Sequence, residues 1–354
     1  MMIADFKKLT TAINKGVDFL YEHQYPSGEF CCYIASDDDM QNDITTDSCV
    51  FPTAVIGLCL QTLPKTIQTA RILEKICIFL QYQMMRGGVW NFFTVRNPLF
   101  KVNPPDLDTT VMASKVLIGC GVEFPDNERI FLYNRSRNGL FYTWITTRLK
   151  NKLDPIYLKL ILREFKYPIR NILYWTRNES GKYDIDGVVN ANVLYALGLN
   201  EDTRGIIPFL KSILYTNAED DCDKWYRNPF TYYYFLSRNF NRGIDELVPE
   251  ETVIIEKVLA RASVTGLLGD SLLDTALGAT ALINAGYRGD RLDKAIHLLL
   301  ESQNVRGYWP RRSFYYSGPS KAMGWGSEEL TTAYCLEAIM AYIRLRYGVS
   351  DKSS

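Results

Sequence analysis

Two kinds of helical segment alternate along this chain, and they differ in where their apolar residues fall. In the first kind, apolar positions recur three or four residues apart, as expected for an amphipathic helix with one buried face. The N-terminal segment shows this spacing with Ile3, Phe6, Leu9, Ile13, Val17 and Leu20. In the second kind, apolar residues rich in Ala and Gly lie on nearly all sides, which predicts helices packed on both faces. Strand-like alternation is absent over any useful length, so the pattern predicts an all-α fold.

A short motif follows the amphipathic segments: an apolar helix end, then Gln, then a Gly-x-aromatic turn. The clear copies are Gln24, Gly28 and Phe30, then Gln83, Gly88 and Trp90, then Gln303, Gly307 and Trp309. A weaker copy consists of Leu173, Tyr174 and Trp175 with Gly181 and Tyr183. A motif that returns along a chain indicates a repeat architecture, in which each repeat is one unit of supersecondary structure.

After these turns, an acidic residue opens the second, more apolar helix. The acidic residues are Asp47, Asp108, Asp186, Asp274 and Glu329, and a degenerate copy begins at Asn228. Acidic residues at these positions fit helix capping and the positive end of the helix dipole. Six such hairpins predict an α/α toroid (an α6–α6 double barrel) with the inner-helix N-termini at one mouth. The prediction is one domain over residues 1–354, with residues 349–354 as a disordered tail.

Two carboxylates one residue apart lie at one of these helix starts. Residues 106–110 read Asp-Leu-Asp-Thr-Thr, behind two prolines and ahead of an apolar helix. Burial and the mutual proximity of Asp106 and Asp108 both favour a protonated carboxyl near neutral pH. The hydroxyl of Thr109 or Thr110 is suited to orienting the pair. This arrangement predicts a proton donor for a substrate that has no polar handle.

Composition narrows the classes of function. The chain of 354 residues has 40 basic and 40 acidic side chains, so it carries no overall electrostatic footprint for nucleic acid or an anionic membrane. With only two histidines, a His-based mechanism or a His-rich metal site is not expected. Eight scattered cysteines predict reduced thiols in a cytoplasmic protein. Aromatic residues make up 13% of the chain, which favours an aromatic-lined interior.

Several motifs together resemble the terpene cyclase and prenyltransferase superfamily of α/α toroids. The repeat from Gln303 to Trp309 matches the aromatic–glycine repeat of squalene-type cyclases. Residues 324–328, Gly-Trp-Gly-Ser-Glu, resemble a Gly-Trp-Gly-Glu-Ser segment of those enzymes with Ser and Glu exchanged. Residues 106–110 are similar to the acid motif of class II cyclases, in the form found in some drimane-forming enzymes. Squalene cyclases use two helical barrels and this chain has residues for one, so it resembles a single-barrel class II terpene cyclase.

The resemblance implies a protonation-initiated cyclisation, an isomerase reaction of the intramolecular lyase type. It implies that Asp108 is the general acid, supported by Asp106, with Thr109 replacing a further aspartate. The substrate implied is a linear isoprenoid, in particular a prenylated aromatic acid. We expect aromatic side chains to line the carbocation cavity: Trp90, Phe92, Trp225, Tyr226, Tyr232, Trp309, Tyr315 and Trp325. Arg311 and Arg312 are candidate ligands for the acid group of the substrate, with a solvated basic loop as the equal alternative.

No cofactor and no metal are expected, except Mg²⁺ if the substrate is a diphosphate. A prenyl diphosphate substrate, as in formation of drimenyl diphosphate, is the alternative within the class. A non-catalytic lipid-binding or prenyltransferase-like toroid is the alternative outside it. Asp47-x-Cys49 is similar to the zinc pair of protein prenyltransferases. The third ligand in those proteins is a histidine on an inner helix, whereas His297 lies in a predicted outer helix, so a zinc site is not expected. Collection of the apolar substrate by peripheral contact with a membrane is left open, and the sequence does not indicate an oligomeric state.

Overall fold

The computed structural model describes residues 5–148, 154–177, 179 and 181–349. The helices are α1 (Phe6–His23), α2 (Val50–Gln61), α3 (Ile67–Gln83), α4 (Leu107–Gly119), α5 (Glu128–Tyr133), α6 (Pro155–Ile161), α7 (Pro168–Arg177), α8 (Gly187–Leu197), α9 (Ile206–Tyr215), α10 (Pro229–Ser237), α11 (Val248–Ala260), α12 (Leu272–Asn284), α13 (Asp290–Glu301) and α14 (Glu328–Tyr347). The strands are β1 (Cys32–Ala35), β2 (Thr45–Asp47), β3 (Tyr315–Tyr316) and β4 (Gly324–Gly326). Residues 350–354 of the predicted tail lie outside the described residues.

Within these residues, six helices form a closed inner ring. Helix α2 packs on α4, α4 on α8, α8 on α10, α10 on α12, α12 on α14, and α14 packs back on α2. The middle of α12 shows why these segments are apolar all round, since every residue from Leu273 to Leu282 is buried. The α/α barrel predicted from the sequence is therefore confirmed, and its closure is explicit in the contact between α14 and α2.

Amphipathic helices surround the inner ring. Helix α1 packs on α14, α3 on α2, α9 on α8, and both α11 and α13 on α12. Helix α1 buries Leu9, Ile13, Val17 and Leu20, which are the positions that its helical spacing predicted. Between α4 and α8 the chain carries three short helices, α5, α6 and α7, in place of one long outer helix.

The Gln–Gly–aromatic motif connects neighbouring outer helices. The Gln303 amide donates to the carbonyl oxygens of Gly307 and of Ala12 in α1, at 2.8 and 2.9 Å. Gly307 has a φ of +96°, and a Cβ atom there would lie 2.1 Å from the carbonyl oxygen of Lys15. Glycine is required for both reasons, because an L side chain would be strained and would collide with backbone. The last repeat is thereby joined to the first.

A small sheet, which the sequence pattern did not predict, connects the two ends of the chain. Its strand order is β2-β1-β4-β3, all antiparallel, with Ile34 opposite Trp325 and Trp325 opposite Tyr315. Strands of two to four residues are too short to leave a readable alternation. The pairing stacks the rings of Tyr315 and Trp325, with centroids 5.8 Å apart. No helix in the described part of the chain has the length and apolar content to cross a membrane.

Candidate active site

The acid motif forms the first turn of α4. Asp106 is the N-cap residue, and one carboxylate oxygen accepts the Thr109 amide at 2.6 Å. The Thr110 hydroxyl donates to the Asp106 carbonyl oxygen at 2.6 Å and accepts the Trp90 amide at 3.1 Å. Capping therefore fixes the direction of the first turn. Asp108, two residues into the helix, faces the interior of the barrel mouth.

Two other repeats supply hydrogen-bond donors to Asp108. The Asn192 amide of α8 donates to its Oδ1 at 2.7 Å, and the Tyr226 hydroxyl donates to its Oδ2. Tyr226 lies in the loop before α10, where the Asp223 carboxylate accepts the Trp225 and Tyr226 amides at 2.8 and 3.2 Å. Helix α4, helix α8 and the loop before α10 thus meet at the carboxyl group of Asp108. This residue is buried, with 7% of its surface exposed.

Burial raises the pKa of both carboxyls in the motif. The pKa of Asp106 rises from 3.8 to about 7, because burial and the nearby Asp108 outweigh the hydrogen bond from the Thr109 amide. The pKa of Asp108 rises only to about 6, because the Tyr226 and Asn192 donors stabilise the ionised form against burial. The Oδ2 atom of Asp106 is buried without a hydrogen-bond partner, which suits a protonated carboxyl.

Both carboxyls face an aromatic cavity at the mouth of the barrel. The empty space within and in front of its walls is about 810 Å³, with open solvent at the opening included. The lining residues are Phe51, Phe92, Phe93, Leu99, Asn103, Asp106, Asp108, Thr109, Thr143, Trp144, Tyr174, Val189, Trp225, Tyr226, Tyr315, Tyr316, Ser317 and Trp325. None of these described lining residues is Lys, Arg or His. The site is therefore apolar and acidic, and any cation in it would face aromatic rings.

The structure brings together most, but not all, of the residues named from the sequence. Those on the cavity wall are Asp106, Asp108, Thr109, Phe92, Trp225, Tyr226, Tyr315 and Trp325. The Phe92 ring lies 5.3 Å from Tyr315 and 6.3 Å from Trp325, each edge to face. Trp225 meets Trp144 edge to face at 5.4 Å on another part of the wall. The sheet and the loop before α10 therefore provide much of the aromatic surface.

The expectation that Trp90, Tyr232 and Trp309 line the cavity is wrong. Each is buried and hydrogen-bonded to an outer-helix carbonyl: Trp90 to Leu80 at 2.7 Å, Trp309 to Leu299 at 2.8 Å and Tyr232 to Leu210 at 2.7 Å. The aromatic residue of the repeat thus points outward and joins the two rings of helices. A motif that recurs in several repeats is expected to support the architecture, as Trp90 and Trp309 do here.

Arg311 and Arg312 lie outside the aromatic cavity, and their binding of the substrate's acid group stays a prediction. The Arg311 guanidinium pairs with Glu328 at 2.6 Å and lies 4.2 Å from the centre of the Tyr33 ring. Arg312 pairs with Asp39 and lies in a separate polar cleft. Neither arginine lines the aromatic cavity. Among the described residues, no cluster of three or more His, Cys, Asp or Glu side chains is arranged to hold a metal ion.

Four residues of the site were not predicted from the sequence: Asn192, Asn103, Trp144 and Tyr174. Asn192 had a usable signal, since an amide in the middle of an apolar inner helix must find a partner when buried. Asn103 accepts a hydrogen bond from the Tyr174 hydroxyl, so these two residues form one side of the opening. Asn103 follows no repeat pattern and Tyr174 belongs only to the weaker repeat copy, so only the three-dimensional structure brings them to the site.

Comparison with solved structures gives matches along nearly the whole chain. A protein from Actinoplanes is 17% identical with a TM-score of 0.67, covering 94% of this chain and 99% of its own. A variant of the type II terpene cyclase MstE from Scytonema, in complex with geranylgeranyl dihydroxybenzoate (substrate), is 17% identical with a TM-score of 0.70, covering 95% of this chain and 97% of its own. No family model matches the chain, and no curated protein matches it. The resemblance to single-barrel class II terpene cyclases is thus confirmed in the fold that this chain shares with MstE.

Proposed function

We propose that this chain is a class II terpene cyclase in which Asp108 protonates the distal alkene of a linear isoprenoid. The observation that carries the proposal is the position of Asp108, a buried carboxyl facing an aromatic cavity beside a second buried carboxyl. A proton donor in a cavity that excludes water is what an alkene requires, because an alkene offers no polar group to bind. The likeness of the fold to MstE supports the same class.

In the proposed reaction, the Asp108 O–H bond breaks and a C–H bond forms at one alkene carbon. The π electrons form that bond, and the other alkene carbon becomes a tertiary cation. The aspartate left behind is stabilised by the Asn192 amide, the Tyr226 hydroxyl and the N-terminus of α4. Further double bonds then attack the cation and close rings. Loss of a proton at the end makes the overall change an isomerisation, with no redox step.

The cavity wall is suited to guiding a cation without quenching it. The face of an aromatic ring stabilises a desolvated cation by about 2 kcal/mol. Phe92, Tyr315 and Trp325 form a contiguous edge-to-face and stacked group, and Trp225 with Trp144 forms another. Water near the cation would give alcohol products, so a tightly packed aromatic wall favours ring closure over hydration.

We propose a prenylated aromatic acid as the substrate, with the apolar chain inside and the acid group at the opening. An anion inside the cavity would face two carboxyls and no described cation. At the opening, the Lys321 ammonium lies 5.0 Å from the Tyr316 ring, and Arg163 donates to the Asn103 carbonyl oxygen at 3.0 Å. MstE in complex with geranylgeranyl dihydroxybenzoate is the structural neighbour that supports this class. The reaction as proposed needs no cofactor.

The decisive test compares Asp108→Asn with Asp274→Asn. Both carboxyls are buried in the first turn of an inner helix, but Asp274 does not line the aromatic cavity. Each protein is incubated with geranylgeranyl dihydroxybenzoate, and products are followed by chromatography and by loss of olefinic proton signals in NMR, because cyclisation leaves the mass unchanged. We expect Asp274→Asn to retain turnover and Asp108→Asn to lose it while remaining folded. Normal turnover by Asp108→Asn would refute the proposed acid.

The alternatives are tested in the same assay. A linear prenyl diphosphate is supplied as substrate, once with Mg²⁺ and once with a chelator. If the diphosphate is turned over and the chelator abolishes this turnover, the drimane-type reaction is favoured. Binding of both substrates without any product from the wild-type chain would favour a lipid-binding toroid. We expect the wild-type chain to cyclise the prenylated acid, and we expect this turnover to be the same with and without the chelator.

A further inference from the structure

The segment of residues 154–177, here called the arm, exposes a concentration of large apolar side chains. It consists of α6, the 3-10 helix Leu162–Lys166 and α7. Phe165 is 63% exposed, Ile169 74% and Ile172 64%. Ile156, Leu162 and Leu173 in the same segment are also exposed. Apolar surface gathered in this way, and not scattered singly, is typical of a face that another apolar surface covers.

The arm is also basic, although the chain as a whole is neutral. Its sequence contains Lys159, Arg163, Lys166, Arg170 and Arg177 against Asp154 and Glu164, a net charge of +3 where the whole chain has zero. No ion pair joins Lys166 or Arg170 to a carboxylate within the described part of the chain. Overall neutrality predicted no attraction to an anionic membrane, but the charge is local and lies among the exposed apolar residues.

The arm is continuous with the opening of the aromatic cavity. Tyr174 of α7 lines the cavity, and its hydroxyl donates a hydrogen bond to the side-chain oxygen of Asn103, another lining residue. Arg163 of the arm lies over the Phe100 ring, 4.5 Å from its centre. Next to Phe100, Leu99 lines the cavity and is 44% exposed, so it lies at the opening. A surface that covers the arm therefore comes close to the cavity opening.

We propose that the arm docks on an anionic phospholipid surface. Its apolar side chains enter the headgroup boundary while Lys166 and Arg170 contact lipid phosphates, as in other amphipathic helices that lie in the interface plane. A second copy of this chain fits less well, because two arms of net charge +3 would repel each other. Delivery of a bilayer-dissolved isoprenoid to the opening rests on the proposed function, whereas the docking does not.

The test measures flotation of the intact chain with vesicles of phosphatidylcholine alone and of phosphatidylcholine mixed with phosphatidylglycerol. We expect binding to the mixed vesicles that weakens as salt is added. Lys166→Glu with Arg170→Glu should lower that partitioning at least about 20-fold, since each basic residue at an anionic surface contributes about fivefold. Phe165→Ser with Ile169→Ser should lower it by about tenfold or more through lost apolar contact.

Matched controls lie on helices outside the arm. Ile67→Ser with Ile78→Ser removes two apolar side chains of α3 that are 75% and 58% exposed. Lys8→Glu with Lys15→Glu reverses two exposed charges of α1. Both controls should bind vesicles like the wild type. The proposal would be overturned if the controls lost as much vesicle binding as the arm variants, or if the wild type did not bind vesicles. It would also be overturned if the arm variants changed only self-association, measured by sedimentation.

Cyclisation is measured separately with substrate dissolved in detergent. Normal turnover in detergent without vesicle binding would refute docking and leave the cyclase intact. Vesicle binding without turnover of any isoprenoid would refute the proposed function and leave docking intact. Asp108→Asn should float like the wild type, because Asp108 lies inside the cavity and not on the arm.

Discussion

Tyr226→Phe tests whether the environment of Asp108 sets its acid strength. The substitution removes the hydroxyl that donates to the Asp108 Oδ2 atom and leaves the ring in place. Asp108 donates only when protonated, so kcat/KM for the wild type should be flat below its pKa of about 6 and fall as pH rises above it. The Tyr226 hydroxyl lowers that pKa by stabilising the ionised form, and its removal raises the pKa.

The magnitude follows from the strength of one hydrogen bond to a charged group. Such a bond contributes about 1.5–3 kcal/mol, and a free-energy difference of about 1.4 kcal/mol corresponds to one pH unit. The falling limb of the pH profile should therefore move up by about 1 to 2 pH units in Tyr226→Phe. The rate below the limb should drop by about 10- to 100-fold, because the same bond stabilises the aspartate formed in the transition state.

The assay is the pH profile of cyclisation at low substrate concentration, with Tyr315→Phe as control. Tyr315 lines the same cavity, but its hydroxyl lies 3.4 Å from the Cys32 thiol and makes no contact with the acid. We expect Tyr315→Phe to keep the position of the limb. A Tyr226→Phe enzyme that is slower at every pH, with the limb unmoved, would mean that Tyr226 only shapes the cavity and would refute the argument.

Three further substitutions separate chemistry from architecture. Asp106→Asn should stabilise the fold. The pKa of the Asp106 carboxyl rises from 3.8 to about 7 on folding, so this group destabilises the folded state increasingly as pH rises between those two values. Urea unfolding should show a gain of up to about 4 kcal/mol at pH 8 that shrinks towards pH 4, and a gain independent of pH would contradict the pKa. Trp309→Ala should lower the free energy of unfolding by about 3–5 kcal/mol, measured in the same way, without changing the product ratio. Phe92→Ala should change the ratio of products by NMR with a smaller loss of stability, and an unchanged ratio would remove Phe92 from the cation path.

The fold was predictable because most of the repeats obey the same local rules. Helix α1 is buried on one face and has amphipathic spacing, whereas α12 is buried on all sides and is apolar all round. Both patterns can be read from the sequence. The glycine at Gly307 is required by backbone geometry, so the turn is also visible in the sequence. The sheet was not predicted because its strands are short and pair with residues far away in the sequence. Such strands show no local periodicity.

The acid motif of the site was predictable, and most of its surroundings were not. Asp106 and Asp108 are separated by one residue and follow helix-start rules, so their position could be inferred. The donors to Asp108 come from 84 and 118 residues further along the chain. The error over Trp309 has a different cause. An aromatic residue in a turn can face either the cavity or the outer helices, and the Trp309 indole donates to the Leu299 carbonyl oxygen in the outer layer.

The pKa alone does not single out the acid, because burial raises the pKa of other acidic residues in the repeats as well. Asp274, at the equivalent place in α12, also has a raised pKa, but its oxygens accept the Asn228 side-chain amide and the Asp270 backbone amide. Glu329, at the start of α14, also has a raised pKa and pairs with His23 at 3.2 Å. Neither of these two carboxyls lines the aromatic cavity.

Asp108 differs in what surrounds it, and the difference is geometric. Its partners, Asn192 and Tyr226, come from two other parts of the ring, so the carboxyl is held at the cavity wall and not within its own turn. A repeat architecture places an acidic residue at several inner-helix starts, where it serves first to stabilise the helix. In the proposed function, Asp108 acts as the proton donor because neighbouring repeats surround it with two hydrogen-bond donors and an apolar space. On this argument, moving the acid to Asp274 would require an aromatic cavity beside α12, and a new carboxyl alone would be insufficient.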